Sequence, residues 1–466
     1  MNEVVDEIYE NETAEELYER IQREKERLIS EGKLKKQKKL PEISEDEIPF
    51  KIPKSWKWVR LGEVTLLMDG IYIENVQLPY LEVKYLRGKI EAKMKNSGKY
   101  VEKNQHLILV DGENSGEIFL TKEEGILGST FKLLKILFNY DKYIIHFLNL
   151  YKEVFKSNKK GAAIPHLDKD LFKMFVIPLP PLSEQKRISE LIDRLFEKLD
   201  EAKEKAFSAL NTFELRKAKI LHLAIQGKLS KQLDEYETAE ELYEKIQIEK
   251  EKLISEGKLK KQKKLPEISQ DEIPFEIPKS WKWVRLGEVF NIIMGQSPDG
   301  ESINTENNGV EFHQGKIYFD KDYILESEYF TSKPTKIVEA NTVLLCVRAP
   351  VGTLNITNRT ICIGRGLCGI DTFKNIDPKF ILYFLRGFEQ DFIKKATGTT
   401  FIAITVEVIK NQVFPLPPLE EQEQILRLLD DIFEKEEKAK KLIESTLNKI
   451  ELVKKSILAR AVRGEL

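Results

Sequence analysis

The chain has 466 residues, 41% of them hydrophobic, with 75 Lys and Arg against 77 Asp and Glu for a net charge of −2. This length holds two or more domains with cores of their own, and the composition is ordinary for a soluble globular protein. No signal-peptide pattern and no 18-residue apolar run is present, so we expect neither secretion nor membrane insertion, and we expect a cytoplasmic protein. Cys346, Cys362 and Cys368 form no CxxC pair, which predicts buried reduced thiols.

The sequence repeats itself in tandem. Residues 13–64 return at 238–289 with five substitutions in 52 positions, an offset of 225. The segment PLPPLSEQKRI (178–188) returns as PLPPLEEQEQI (415–425), and ILHLAIQGKL (220–229) returns as ILARAVRGEL (457–466), both offset by 237. We call 13–64 and 238–289 the framework segments, and the dissimilar stretches 65–160 and 290–397 the variable regions. This organisation indicates one scaffold that presents two different recognition regions. We call the two variable regions, in this sense, the readers.

Each framework segment is predicted to begin with a helix. Thr13 is a good N-cap, Leu17, Ile21 and Leu28 share one helical face, and Gly32 is a typical stop. The basic run KLKKQKK (33–39, repeated at 258–264) is interpreted as a solvated linker, with phosphate contact as the alternative.

A strand is predicted after this linker, around tryptophans that alternate with polar residues: Trp56 and Trp58, and Trp281 and Trp283. We expect these rings to be core residues rather than base-stacking platforms. The variable regions are predicted to be rich in strands, for example at 106–110, 342–347 and 359–363, and to end in helices at 141–156 and 377–396.

A long helix is predicted after each PLPP. In the second copy, apolar residues recur at alternating steps of four and three, which is typical of a coiled-coil seam: Ile425, Leu429, Ile432, Ala439, Ile443, Ile450, Val453 and Ile457. Glu436 and Thr446 fill two slots of this seam, and Arg216 interrupts the first copy. Forty helical residues span roughly 60 Å. If the two copies are related by a pseudo-twofold axis, these helices run antiparallel.

Catalytic signatures are scarce. The sequence contains no P-loop, HExxH, G-x-S-x-G or dinucleotide fingerprint, no Asn/Asp-Pro-Pro-aromatic tetrapeptide, and no metal spacing among its five histidines. One nuclease-like pattern exists, in which Asp69 precedes Glu82 and Lys84, but the second variable region has no equivalent. We expect no catalytic residue, metal or cofactor.

Residues suited to DNA contact occur in both variable regions. Arg, Lys, Gln and Asn are the side chains that read base edges or bind phosphates, and these candidates lie beside turn residues. They are Arg87, Lys89, Asn114 and Ser115 in the first region, and Gln314, Lys316, Arg348 and Arg365 in the second. Residues 54–180 carry 20 basic against 15 acidic residues, whereas 279–417 carry 16 against 15, so charge favours nucleic acid only in the first half.

The doubled WxWVRLGEV segment, the PLPPLxEQ exits and the AIQGKL and AVRGEL helix ends resemble the specificity subunit of type I restriction–modification systems, over nearly the whole chain. GQSP (295–298), VRAPVG (347–352) and IGRG (363–366) resemble one variety of its target-recognition domain. The resemblance implies an α+β protein, with two pseudo-twofold-related α/β target-recognition domains joined by a long antiparallel two-helix coiled coil. The expected segments are an N-terminal helical part (1–40), target-recognition domains at 41–180 and 265–417, a central spacer helix with the repeated helical segment (181–264), and a C-terminal spacer helix (418–466).

The same resemblance implies a non-catalytic subunit that reads a bipartite, asymmetric target in double-stranded DNA. The coiled coil would dock two modification subunits, which supply S-adenosylmethionine and methyl transfer, and restriction subunits would join them. A Gly-Thr-Thr-type loop of the family matches Gly398, Thr399 and Thr400, while the first half reads Gly161, Ala162, Ala163 and lacks the hydroxyls. The alternatives are a self-contained nuclease or methyltransferase, and a coiled-coil adaptor that binds only protein.

Overall fold

The computed structural model describes residues 12–36, 38–137, 140–157, 159–160, 166–230, 237–373, 376–397 and 403–466. The chain forms two compact units. Unit 1 comprises Met1–Phe207 and Glu444–Leu466, and unit 2 comprises Ser208–Ile443.

The described helices that begin in unit 1 are α1 (Ala14–Ser30), α2 (Leu61–Val64), α3 (Val83–Leu86), α4 (Lys142–Ser157), α5 (Lys169–Met174) and α6 (Leu182–Asn211). Those that begin in unit 2 are α7 (Phe213–Ile225), α8 (Ala239–Ser255), α9 (Leu286–Val289), α10 (Pro378–Arg386), α11 (Glu389–Lys395), α12 (Val406–Asn411) and α13 (Leu419–Val462). Because α13 continues beyond residue 443, it supplies residues to both units.

The described strands of unit 1 are β1 (Lys57–Arg60), β2 (Thr65–Met68), β3 (Ile71–Leu81), β4 (Met94–Val101), β5 (His106–Leu109), β6 (Ile118–Leu120), β7 (Gly125–Leu127), β8 (Phe131–Ile136), β9 (Lys159–Lys160), β10 (His166–Leu167) and β11 (Val176–Leu179). Those of unit 2 are β12 (Lys282–Arg285), β13 (Phe290–Met294), β14 (Ile303–Asn304), β15 (Val310–His313), β16 (Phe330–Thr331), β17 (Ile337–Val338), β18 (Val343–Cys346), β19 (Leu354–Ile356), β20 (Ile361–Ile363), β21 (Leu367–Thr372) and β22 (Val413–Leu416).

The two variable regions share a topology that their sequences do not reveal. The main sheet of unit 1 has the order β2-β8-β5-β6, and that of unit 2 has the order β13-β21-β18-β19, with antiparallel pairing throughout. Each unit adds a parallel pair, β3 with β7 and β15 with β20. The strand that enters the variable region pairs with the strand that leaves it, β1 with β11 and β12 with β22. The same frame therefore holds both variable regions.

The framework segments fold as the sequence predicts. Thr13 caps α1 in a reciprocal capping box with Glu16, and Gly32 takes a left-handed φ of 71° after the helix. Trp56 and Trp281 are only 7% and 6% exposed, which confirms them as core residues. The three cysteines are buried and unpaired.

A buried arginine ties each framework segment together. Arg285 is 2% exposed, and its guanidinium donates to Pro266 O (2.7 Å), Glu267 O (3.1 Å) and Asn411 O (2.7 Å) and pairs with Glu272. Arg60 repeats these contacts in unit 1. The backbone just after each basic run is thus held by a buried guanidinium, so the run has one anchored end.

Unit 1 is completed by the end of α13. Leu458, Ala461 and Val462 lie in the same hydrophobic core as Trp56, just as Leu221, Ala224 and Ile225 of α7 lie in the core with Trp281. A segment that is contiguous with its framework in unit 2 is therefore supplied in unit 1 from residues 444–466.

Two predicted helices are interrupted. The helix predicted at 377–396 is two helices, α10 and α11, separated at Gly387, where a Cβ would come within 3.0 Å of Ile225 Cγ2. The spacer helix of the first copy breaks between α6 and α7, because the Thr212 hydroxyl donates to Ala209 O (2.7 Å) and thereby competes with the helical ladder. In the second copy α13 is continuous over 44 residues.

The predicted seam is only partly buried. Ile425, Leu429 and Ile450 are buried, but Val453 is 44% exposed and Ala439 is also exposed. The seam prediction is therefore wrong at these two positions.

Candidate nucleic-acid interface

The loop that follows the central strand of each main sheet is built by matching backbone hydrogen bonds. Gly116 N donates to Leu109 O at 2.7 Å in unit 1, and Gly352 N donates to Cys346 O at 3.0 Å in unit 2. Both glycines have a left-handed φ, 97° and 94°. These loops contain the predicted residues Asn114, Ser115 and Arg348, so the sequence placed its candidates on equivalent loops of two dissimilar segments.

In unit 2 the predicted residues Gln314 and Arg365 meet at Ser297. The Ser297 hydroxyl donates to Gln314 Oε1 at 2.8 Å, and Arg365 Nε lies 3.3 Å from the same hydroxyl oxygen. Gln314 and Arg365 are otherwise exposed. The serine thus holds an amide and a guanidinium side by side at the surface.

Glycines allow three backbone segments to converge there. A Cβ on Gly364 would lie 2.2 Å from Gln314 Oε1, one on Gly366 would lie 2.4 Å from Gln314 O, and one on Gly295 would lie 2.2 Å from Gly364 O. These contacts explain the glycines of GQSP and IGRG. Because these backbone segments lie so close together, the side chain between Gly364 and Gly366, that of Arg365, lies at the surface.

Arg348 and Lys316 belong to the same end of the sheet. Val347 N donates to Gly366 O at 2.9 Å, which sets the exposed Arg348 next to the loop of Arg365. Lys316 begins a short 3₁₀ turn, Lys316–Tyr318, in which Ile317 is 82% exposed. The structure therefore brings together all four predicted residues of this unit that are described.

A buried network of hydrogen-bonded charged residues lies next to Gln314, at the end of β15. His313 is fully buried, and its Nε2 lies 2.7 Å from Glu311 Oε1, which also accepts from the Ser327 amide at 2.7 Å. Burial alone would raise the pKa of the Glu311 carboxyl, but hydrogen bonds from Arg359, Ser327 and His313 outweigh it and lower this pKa to about 2. Burial lowers the pKa of His313. This network fixes the strand end that carries Gln314.

In unit 1 the four predicted residues line one open cleft of about 400 Å³. Arg87 and Lys89 come from the loop after α3, and Asn114 and Ser115 come from the loop after β5. The cleft also contains Lys152 and Lys156 of α4, which sequence reasoning missed. A pattern could have found them, because two lysines four residues apart in a helix share one face.

Two of the predicted residues of unit 1 have internal partners. Arg87 forms an ion pair with Glu117 across the cleft. Ser115 is 1% exposed and its hydroxyl donates to Gly112 O at 2.6 Å. A contact between Ser115 and DNA is thus replaced by a structural role, in which the hydroxyl closes the turn that presents Asn114.

The predicted Thr399 and Thr400, with Gly398, lie outside the described residues, as do Gly161, Ala162 and Ala163. Their part in DNA contact stays a prediction.

In the nuclease-like pattern, the carboxylates of Asp69 and Glu82 both have lysine partners. Glu82 Oε1 lies 3.0 Å from Lys93 Nζ. Asp69 is held by Lys132 (2.6 Å) and Lys99, and their hydrogen bonds lower the pKa of its carboxyl. Within the described ranges, no group of three or more His, Cys, Asp or Glu residues could hold a metal ion.

The model of the type I restriction modification DNA specificity domain matches the chain twice, at residues 53–208 and 278–449. The chain is therefore a DNA-specificity protein with two such domains. It belongs to the family of type I restriction–modification specificity subunits, which are non-catalytic recognition subunits of their complexes.

Relatives and solved structures agree. The chain is 34% identical to a putative type I restriction enzyme specificity subunit, MjaX, of Methanocaldococcus jannaschii, over 66% of this chain and 65% of that protein. It is 30% identical to the MjaVIII specificity subunit of the same organism, over 86% and 92%, and 26% identical to the EcoAI specificity subunit of Escherichia coli, over 93% and 87%. The HsdS subunit of Thermoanaerobacter tengcongensis matches with a TM-score of 0.59 and 26% identity, over 90% of this chain and all of that one.

A second solved structure concerns complex assembly and conformational transition of the type I R-M system. One of its chains matches with a TM-score of 0.65 and 26% identity, over 90% of this chain and 100% of that chain.

No helix in the described part of the chain is both long enough and apolar enough to span a bilayer.

Proposed function

We propose that this specificity subunit reads a bipartite, asymmetric DNA sequence, with each unit reading one half. The observation that carries the proposal is the shared topology of the two main sheets, combined with different side chains on their equivalent loops. A common sheet presents both sets of residues in the same way, so the half-sites differ because the side chains differ.

Basic residues supply affinity that does not depend on sequence. In unit 1 the cleft contains Arg87, Lys89, Lys152 and Lys156, of which Arg87 is paired with Glu117 and Lys156 lies 3.9 Å from Glu153. Lysines and arginines that neutralise phosphates release counterions, and affinity then falls steeply with salt. We assign contact with DNA phosphates to the lysines of this cleft. We assign contact with bases to residues on the equivalent loops at the end of each main sheet.

We further propose that the spacer helices set the distance between the half-sites. In unit 1, Lys454 Nζ lies 2.5 Å from Asp200 Oδ1, and Lys203 Nζ lies 2.5 Å from Glu451 Oε1, so the two partners run antiparallel. In unit 2, Arg216 of α7 forms an ion pair with Glu436 of α13, with Nη2 2.7 Å from Oε2. These pairs support an antiparallel two-helix coiled coil as the spacer.

The partners follow from the family. We propose that two modification subunits dock on the spacer helices and carry out adenine methylation with S-adenosylmethionine, and that restriction subunits join the assembly. The solved structure that matches this chain concerns complex assembly of the type I R-M system, which supports such docking.

The test is selection of DNA from a random duplex library by the full chain with its modification subunits. We expect two specified blocks separated by unspecified base pairs of fixed number. A single continuous block, or no preference among the duplexes, would contradict the proposal. Turnover of DNA by the purified chain alone, with Mg²⁺ and S-adenosylmethionine, would instead reveal an enzyme.

A further inference from the structure

The two readers can be aligned residue by residue through their backbone contacts, although their sequences do not align. In the parallel pairs, Leu81 is in register with Leu127, and His313 with Ile363. Leu127 and Ile363 are both followed by glycine, Gly128 and Gly364. Leu81 is therefore the counterpart of His313, and the next residue, Glu82, is the counterpart of Gln314.

The second loop gives a second pair. Val110 N donates to Thr130 O at 2.8 Å, and Val347 N donates to Gly366 O at 2.9 Å. Asp111 and Arg348 follow these valines, and each forms a backbone bridge, to His166 and to Ala403. Asp111 is thus the counterpart of Arg348.

The third loop gives a third pair. Ser129 lies between Gly128 and Thr130, as Arg365 lies between Gly364 and Gly366. Ser129 is therefore the counterpart of Arg365. It is held in place by Tyr80, whose hydroxyl accepts from Ser129 N at 3.0 Å.

From these three pairs we infer that the two readers have opposite hydrogen-bonding character. Unit 2 presents Gln314, Arg348 and Arg365, whereas unit 1 presents Glu82, Asp111 and Ser129. A guanidinium only donates and an ionised carboxylate only accepts. This inference rests on the proposed function and names the bases that each reader prefers.

Arginine reads the two acceptors of guanine, O6 and N7, in the major groove, whereas a carboxylate accepts from an exocyclic amino group. Unit 2 therefore prefers guanine opposite Arg348 and Arg365. Unit 1 prefers an amino group opposite Glu82 and Asp111, from cytosine N4 or adenine N6.

Each carboxylate keeps one oxygen for the base. Glu82 Oε1 lies 3.0 Å from Lys93 Nζ, and Asp111 Oδ1 lies 2.6 Å from His166 Nδ1; among the residues that the structure describes, Oε2 and Oδ2 have no such partner. Their side chains are 26% and 34% exposed, so both are accessible at the surface.

The charge balance agrees with this assignment. Carboxylates near phosphates are costly, so a reader that uses them needs more surrounding positive charge. Residues 54–180 have five more basic than acidic residues (20 against 15), while 279–417 have one more (16 against 15). The reader with acidic base contacts is the one with the larger excess of lysine and arginine.

The test is the same library selection, run with the full chain and its modification subunits, for Glu82→Gln, Asp111→Ala, Arg348→Ala and the control Glu197→Gln. Glu197 lies exposed on α6 and loses the same charge without touching a reader loop. Glu82→Gln gives unit 1 the glutamine of unit 2, so we expect the position of the first half-site opposite residue 82 to specify adenine, which is a change where the wild-type chain reads cytosine.

Asp111→Ala should reduce discrimination at another position of that half-site by about 5- to 150-fold, and Arg348→Ala should do so at a guanine of the second half-site. The library itself shows whether cytosine or adenine supplies the amino group. Unchanged motifs in all three variants, or changes in both half-sites from a single variant, would overturn the inference. Failure of the wild-type chain to select a bipartite motif would instead refute the proposed function.

Discussion

At the scale of single residues, two glycines of unit 2 distinguish the cost of a left-handed backbone from the cost of a steric clash. Gly227 and Gly257 both have a left-handed φ, 67° and 71°. A Cβ on Gly227 would lie 2.3 Å from Pro278 Cγ, whereas one on Gly257 would meet nothing within 4 Å. The first glycine connects α7 to its framework, and the second only ends a helix.

We therefore predict that Gly227→Ala destabilises unit 2 more than Gly257→Ala does. Gly257→Ala should cost about 1–2 kcal/mol, the price of a left-handed alanine. Gly227→Ala adds a collision with Pro278 and Trp281, for a total of about 3 kcal/mol or more. Urea unfolding of the full chain measures both, and equal midpoints would show that α7 does not need this close contact.

Arg285 gives a second prediction at this scale. Arg285→Met removes a buried guanidinium and leaves Pro266 O, Glu267 O and Asn411 O without their donor, so we expect a loss of about 3–5 kcal/mol in the free energy of unfolding. The control is Arg427→Met, where an exposed arginine lies 3.5 Å from Glu423 and should matter by less than about 1 kcal/mol. Similar losses for both variants would contradict the role of Arg285.

At the scale of elements, the seam of the spacer helices contains a charged pair where apolar residues are the rule. Arg216 and Glu436, which the sequence shows as two interruptions of the heptad pattern, contact each other. The Arg216 guanidinium also lies 4.2 Å from the centroid of the Phe213 ring. The two interruptions of the heptad pattern are therefore the two partners of one ion pair. This ion pair sets the register of α7 against α13.

We predict non-additive effects for this pair. Glu436→Leu leaves Arg216 half-buried beside leucine and should cost about 1–3 kcal/mol, while the double variant Arg216→Leu, Glu436→Leu should regain most of that loss. Thermal unfolding of the four proteins completes the cycle. Additive losses would mean that the pair contributes nothing to the register.

The helices and strands also show how much of the fold could be predicted from the sequence. Helix caps, core tryptophans and the doubled framework were predictable because capping and burial depend on local residue types, as at Thr13 and Trp56. The helix break at Thr212 was not, since it depends on which acceptor the Thr212 hydroxyl takes, and the exposure of Val453 was not, since it depends on tertiary packing. The candidate residues could be chosen from their types, but Ser297, Glu82 and Asp111 needed the backbone register to be found.

At the scale of the whole molecule, the spacer helices make a prediction about distance. Inserting four residues after Ala206 in α6 and four after Asn448 in α13 lengthens both helices by roughly 6 Å at about 1.5 Å per residue. At about 3.4 Å per base pair, the gap between the half-sites should grow by one or two base pairs. Sequencing of methylated DNA from cells that carry the variant measures the gap. An unchanged gap would refute the spacer role.

The central claim is that each variable region, held in a common frame, reads its own half-site. The most direct measurement replaces residues 65–175 by residues 290–412, so that both frames carry the second reader, and determines the methylated motif in cells that supply the modification subunits. Because the framework segments differ at only five of 52 positions, the transplanted reader meets nearly the same surroundings. We predict a palindromic motif in which the second half-site occurs twice. A motif that still contains the first half-site would contradict the account.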